Sequence, residues 1–301
     1  MLSADRLSKS FNRVQAVKDL SLSVSAGEIV AILGPNGAGK TTTLRMLVGL
    51  AAPDTGRVVY TCRHGATHPA IQPEELGYLP EERGLYVDRK VIDGLVYFAQ
   101  LRGMSRGDAV DGAGNWLERF ELADRAGDLV RTLSKGNQQK VQLISAFIHQ
   151  PRIAIIDEPF SGFDPINQEK VLKLIGELRD AGTAILFSAH QMDLVQRVAD
   201  RVVLMSQGQM VVQGSLDDIR RHSGLTTKIE ASLNQPVGPE VLAAAPVPAT
   251  LKDTTLTLHA SADEDINDLI RWVCNQAQVR DLSASRASLH DMYLSLVEET
   301  P

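Results

Sequence analysis

The residues Gly34-Pro35-Asn36-Gly37-Ala38-Gly39-Lys40-Thr41 put three glycines, a lysine and a hydroxyl into one short turn. Glycines let successive backbone N–H groups face outward around a phosphate, a lysine at this spacing reaches the terminal phosphates, and the next hydroxyl suits a divalent cation. The turn follows an unbroken apolar run, Ile29–Leu33, and precedes a helical pattern over 42–48, so a helix N-terminus adds partial positive charge. The expected chemistry is nucleotide binding by Gly34, Asn36, Gly37, Ala38, Gly39, Lys40, Thr41 and Thr42, with Lys40 on the β- and γ-phosphates and Thr41 on Mg²⁺.

A second polar pair, Asp157-Glu158, closes the apolar run IAII. At the carboxyl end of a strand, Asp157 can hold the Mg²⁺ shell while Glu158 polarises an attacking water. Alone, such a pair reads as a solvated strand end; a phosphate-binding turn upstream gives it a purpose. Among the seven histidines only His190, after the apolar AILFS, has a matching place. His64 and His68 lie in a loop-like stretch with Gly65 and Pro69 and are not expected to share a metal. Asp263-Glu264-Asp265, ahead of an apolar helical pattern, reads as a helix cap rather than a cation site.

These residues require a scaffold that aims several strand ends at one place. From Leu2 to about Gln213, short β-type runs alternate with helical segments: Ile29–Leu33, 153–156 and 184–187 as buried strands, with an amphipathic helix over 167–179 between the last two. That is the rhythm of a parallel sheet. Strands are also expected over LSADRLSKSF and LSLSV, and a hairpin around the turn SQGQ. Residues 88 to 150 read as helical, including VIDGLVYFAQLRG and NWLERFELADRA. From Lys228 onward the rhythm changes. A proline-rich loop over 234–250 precedes a strand, TTLTLHA, and a helix over 264–276, and β-type runs TKIEASL and VRDLSAS flank them with a last amphipathic segment over 289–297.

The motifs taken together resemble the ATPase subunit of ATP-binding-cassette transporters over residues 1 to about 220. The family's signature, normally LSGGQ, reads Leu133-Ser134-Lys135-Gly136-Asn137; Ser161-Gly162-Phe163-Asp164 is similar to its D-loop; Ser188-Ala189-His190 to its switch histidine; and Phe11 to the aromatic on which adenine stacks. The resemblance implies an α/β fold: a P-loop cassette with a parallel sheet core, an antiparallel β part and a helical subdomain at about 88–150, followed by a small C-terminal α/β domain. The cassette is expected over 1–221 and the accessory domain over 222–301. The family usually has glutamine where Glu81 stands. A carboxylate near phosphate is unfavourable unless a cation offsets it, which suggests Mg²⁺ or Arg83 as its neighbour. LPEERGLYVDRKV with LSKGNQQK resembles a subgroup of bacterial ABC-2 type exporters that includes sodium- and drug-extruding pumps.

What the resemblance implies is an ATPase whose site is completed by a second subunit, with ATP and Mg²⁺ between the P-loop of one copy and Ser134, Gly136 and Asn137 of the other; a homodimer is the simplest arrangement and a paralogous partner the alternative. Glu158, His190 and Lys40 are its expected catalytic residues, and Thr41, Asp157 and Glu81 its expected metal residues. ATP binding would close the dimer, hydrolysis would reopen it, and a separate membrane-spanning permease docked near 81–91 would be driven. That places the chain in the cytoplasm, peripheral on the inner face of the cell membrane.

Composition agrees with an ordinary globular chain: 301 residues, 44% hydrophobic, 23% charged, with no apolar run near the ~18 residues that span a bilayer and no secretory leader in MLSADRLSKSF. A soluble cytosolic chain is expected. Cys62 and Cys274 stand alone, which excludes a disulfide framework. The net charge of -6 argues against a nucleic-acid partner. A soluble cassette ATPase of translation or DNA repair is the alternative. Such proteins usually carry two cassettes or a long insert, whereas 93 positions separate Lys40 from Leu133 here, without heptads.

Overall fold

The computed structural model describes residues 1–301 except 13, 63–64, 83, 226, 262–263 and 299–301, so His64, Arg83 and Asp263 lie outside the described residues. The chain divides into two compact units, Met1–Met210 and Val211–Pro301.

In the first unit, β1 (Leu2–Phe11) and β2 (Val14–Val24) form an antiparallel hairpin, and β4 (Thr55–Thr61) and β5 (Thr67–His68) extend it in the order β2-β1-β4-β5. One face alternates inward with Leu2, Leu7, Leu20, Leu22 and Val24, as expected of a half-solvated antiparallel sheet. The second sheet contains β3 (Ile29–Leu33), β6 (Leu76–Leu79), β7 (Ile153–Asp157), β8 (Ala184–Ala189), β9 (Arg201–Ser206) and the hairpin strand β10 (Gln209–Gly214), ordered β10-β9-β3-β8-β7-β6. β9, β3, β8, β7 and β6 are parallel. Every residue of β3, β7 and β8 is buried, which explains their near-continuous apolar runs. The helix α1 (Lys40–Leu47) contributes Leu44, Met46 and Leu47 to a core shared by the two sheets.

Three helices occupy the expected helical span: α2 (Val91–Leu101), α3 (Arg106–Arg119) and α4 (Lys135–Phe147). The expectation of a helix over NWLERFELADRA is corrected here. α3 starts earlier, capped by Ser105, whose side chain accepts from the Asp108 N–H, and it ends before Phe120, with Glu121 in the left-handed region. Ala109, Ala113 and Leu117 form a buried stripe at helical spacing, and this overrides the poor helix propensity of Gly107, Gly112 and Gly114. The helix α5 (Pro165–Asp180) packs on β8, and the short α6 (Met192–Val195) follows β8 in the chain.

The second unit holds α7 (Leu216–Ser223), β11 (Thr227–Leu233), α8 (Pro239–Ala243), β12 (Ala249–Lys252), β13 (Thr255–Ala260), α9 (Ile266–Gln276), β14 (Val279–Arg286) and α10 (Leu289–Glu298). Its antiparallel sheet runs β12-β13-β11-β14 and shares a core with Leu269 and Val273 of α9. The expected loop over 234–250 is not wholly a loop. Pro239 opens α8, and β12 pairs with β13, setting Leu251 beside Leu256. Asp265 caps α9 by accepting from the Asn267 N–H, as the acidic run suggested.

Candidate nucleotide site

The strand order brings four carboxyl ends side by side. β3 pairs with β8 as far as Leu33 and Ala189, β8 with β7 as far as Ser188 and Asp157, and β7 with β6 as far as Ile156 and Leu79. The glycine-rich turn, His190, Asp157-Glu158 and Pro80-Glu81 therefore emerge along one sheet edge, the usual place for ligands in open α/β sheets.

The helix after the glycine-rich turn begins at Lys40, two residues before the expected start at Thr42. Gly39 is its N-cap at φ +97°, and its carbonyl accepts from both the N–H and the hydroxyl of Thr43, each at 2.9 Å. A side chain at Gly39 would overlap the Ala16 carbonyl oxygen, so glycine is required there by both backbone angle and space. Lys40 is only 7% exposed, and its Nζ donates to Gly34 O at 2.8 Å and Pro35 O at 3.2 Å. The lysine thus folds back over the turn and holds it open.

Around this turn lies a cavity of about 410 Å³ lined by Asn36, Gly37, Ala38, Gly39, Lys40, Thr41, Thr42, Glu81 and Glu158, together with Val14, Gln15 and Ala16 of β2. Most of the residues expected at the site are here. The β2 residues were not among them: Val14 is 68% exposed, which only the structure shows, and nothing in their residue types marks them in the sequence. Phe11 is half-exposed, does not line this cavity, and has Lys9 Nζ 5.5 Å from its ring; it pairs with Val14 at the tip of the hairpin. Ser134, Gly136 and Asn137 also stand outside it. They form the capped start of α4, where Ser134 Oγ accepts from the Asn137 N–H at 3.3 Å, and Gly136 approaches Gly162 rather than the glycine-rich turn.

Asp157 is buried at 1% exposure. Ser188 Oγ donates to its Oδ1 and accepts from the Glu158 N–H at 3.0 Å, while the Glu158 N–H also reaches Ser188 O at 3.2 Å. Ser188 therefore organises both carboxylates. In the sequence it shows as a polar residue at the end of an apolar strand, two places before His190, with no sign of its part in holding the carboxylates. Asp157 Oδ2 is buried without a hydrogen-bond partner among the described residues, an arrangement a cation shell would complete. Its acidic oxygen and the Thr41 hydroxyl are hard donors of the kind Mg²⁺ takes, so the residues fit the ion. No group of three or more His, Cys, Asp or Glu residues suited to a metal occurs among the described residues.

Glu158 stands at φ +54°, a strained position for a side chain of this size, which turns its carboxylate toward the cavity. Burial pushes its pKa above the ordinary carboxylate value, against the opposing pull of His190 and Lys40. His190 Nδ1 lies 2.8 Å from Glu158 Oε2 while its ring stays half-exposed. With the glutamate ionised, Nδ1 carries the proton and donates. A carboxylate of raised basicity, oriented by an imidazole and facing a phosphate-sized cavity, can accept a proton from water.

Comparison with known proteins agrees with this geometry. The sequence profile of the ABC transporter family matches residues 17–161. The chain is 38% identical to the uncharacterized ABC transporter ATP-binding protein YhaQ of Bacillus subtilis over 299 residues, covering 99% of this chain and 98% of the relative. It is 30% identical to the linearmycin resistance ATP-binding protein LnrL of the same organism, over 78% of this chain and 75% of that one. A solved structure of an ATP-binding subunit of an ABC transporter superposes with a TM-score of 0.68 at 33% identity, covering 74% of this chain and 93% of that chain. A cradle at the start of a helix, an acidic pair and an imidazole on adjacent strand ends therefore have a shared origin as well as a shared geometry: the chain belongs to the ABC transporter family, as an ATP-binding subunit that couples ATP hydrolysis to transport.

Proposed function

We propose that this chain works as a homodimeric motor, exporting an ion or small molecule, sodium among the candidates, through a separate membrane permease. The observation that carries the reading is the separation of its parts. The P-loop cavity is lined by Lys40, Thr41 and Glu158, while Ser134, Gly136 and Asn137 lie outside it, which supports a second copy closing each ATP. In this reading Lys40 binds the β- and γ-phosphates, Glu158 takes a proton from the attacking water, His190 orients Glu158 and contacts the γ-phosphate, and Phe11 and Val14 meet adenine. Thr41, Asp157 and Glu81 would hold Mg²⁺, which supplies charge neutralisation at the phosphates when bound. Replacing the bridging γ-phosphate by repelling products would reopen the dimer.

No helix among the described residues is long and apolar enough to cross a membrane; the translocation path is assigned to a separate permease on the strength of the family. A groove of about 600 Å³ between the 88–90 segment and Ile92, Val96 and Tyr97 of α2 supports docking there. Beside it the exposed Tyr86 stacks on Phe98 with centroids 5.8 Å apart, and Arg89 sits over Tyr86 and Tyr97. The name of the LnrL relative, linearmycin resistance, supports export as the direction. Purifying the full chain from detergent-solubilised membranes is expected to recover a multi-span membrane protein that raises its ATPase rate. Recovery with ribosomes or DNA instead would favour the translation or repair reading.

If Glu81 contributes to the metal shell, Glu81→Ala shifts the Mg²⁺ dependence of hydrolysis to higher concentration more than it weakens metal-free ATP binding. Equal Mg²⁺ titrations for both proteins would make Glu81 a docking residue or a bystander.

We assign the accessory role to the second unit. The expected division at 221/222 falls inside α7, which packs on α10 and whose Ser223 O accepts from Ser295 Oγ at 3.4 Å. A chain ending at Gly214 is therefore the better test. It should bind ATP as the full chain does but assemble less well with itself or the permease. A folded, soluble truncation that fails to bind ATP would show that the tail belongs to the ATP site.

A further inference from the structure

Gln142 lies on the third turn of α4, 3% exposed, in a helix whose buried positions are otherwise mostly apolar. Its Nε2 donates to Pro80 O at 3.0 Å and to Glu82 O at 3.2 Å. These two carbonyls flank Glu81, whose side chain lines the nucleotide cavity. The same helix begins at Ser134, so one rigid element carries the signature residues at its N-terminus and grips the Glu81 loop two turns later. Two acceptors identify the amide end facing the loop as the nitrogen. The other end, Oε1, is buried with no partner among the described residues.

We infer that Gln142 is the positioning residue that couples the Glu81 loop to the signature helix. When the loop moves in response to the γ-phosphate, the paired hydrogen bonds carry α4 with it, so Ser134, Gly136 and Asn137 are presented to the second copy only when the first site is filled. Gln142 touches neither nucleotide nor metal and acts through Glu81 and the start of α4. The inference rests on the nucleotide site proposed above.

The test is a double-mutant cycle in the full chain, with Gln142→Leu and Glu81→Ala singly and together. Gln142→Leu is expected to lower kcat about tenfold and weaken ATP-dependent self-association, while ATP affinity and KM stay within about twofold. In the Glu81→Ala background the same substitution should lower kcat by less than about twofold, because the coupling is already lost. If Gln142→Leu does not fold, Gln142→Met, which keeps the length and lacks the donor, replaces it. Equal fractional losses in both backgrounds, an unchanged kcat, or a fall in ATP affinity matching the fall in kcat would overturn the inference. Failure of the parent chain to bind ATP would instead overturn the nucleotide-site reading itself.

Discussion

Glu158→Gln binds ATP with unchanged affinity and turns it over about a thousandfold more slowly, because the substitution removes the proton acceptor and leaves every phosphate contact in place. The glutamine keeps the size of the side chain and its backbone N–H bonds to Ser188, so Asp157 and the strand end are not disturbed. With ATP trapped, the variant should accumulate as a dimer, visible by light scattering. A monomer in the presence of ATP, together with ordinary phosphate release, would defeat both the catalytic assignment and the two-copy site. The parent chain should also lose turnover on acidification at a higher pH than an ordinary glutamate dictates. Burial raises the Glu158 pKa, and only the ionised form can accept the proton, so activity falls as pH drops through that raised value. This acid limb should vanish with the residual rate of Glu158→Gln.

The second large effect is loss of nucleotide binding in Lys40→Ala. The deleted ammonium would make charge-assisted bonds to phosphate oxygens, worth about 1.5–3 kcal/mol each, so two of them account for an affinity loss of at least about a hundredfold. It also holds the carbonyls of Gly34 and Pro35, so part of the loss comes from a turn no longer kept open. Titration with a fluorescent ATP analogue, alongside a thermal melt to confirm folding, measures it. A variant that melts like the parent and binds within a few-fold of it would remove Lys40 from the phosphate site. The two substitutions thus separate: one loses chemistry and keeps binding, the other loses binding and with it the chemistry.

Much of this site was legible without coordinates, for a physical reason that differs from residue to residue. The turn Gly34 to Thr41 is a local object: its backbone angles, its lysine and the helix start after it are all set within eight residues, and it lies where expected. The buried strands Ile29–Leu33 and Ile153–Asp157 announced themselves because strands covered on both faces must be apolar throughout. Helix ends were less legible. α3 begins at a Ser105 cap that composition disguised with glycines, and only the packing of Ala109, Ala113 and Leu117 shows why the helix persists.

The sequence by itself determined the P-loop, the acidic pair, the histidine and the family they resemble, since each is a short run of residue types whose spacing is its meaning. Only the tertiary structure decided which strand ends lie together. Apolar parallel strands are interchangeable in pattern, so nothing in 153–157 or 184–189 states that β8 is inserted between β3 and β7, or that Ser188 thereby meets Asp157 and Glu158. The same holds for Gln142, whose carbonyl partners stand about sixty residues away, and for the signature residues, which do not line the P-loop cavity of their own chain. Long-range packing chooses the strand order, and the strand order brings Lys40, Asp157, Glu158, Glu81 and His190 to one edge.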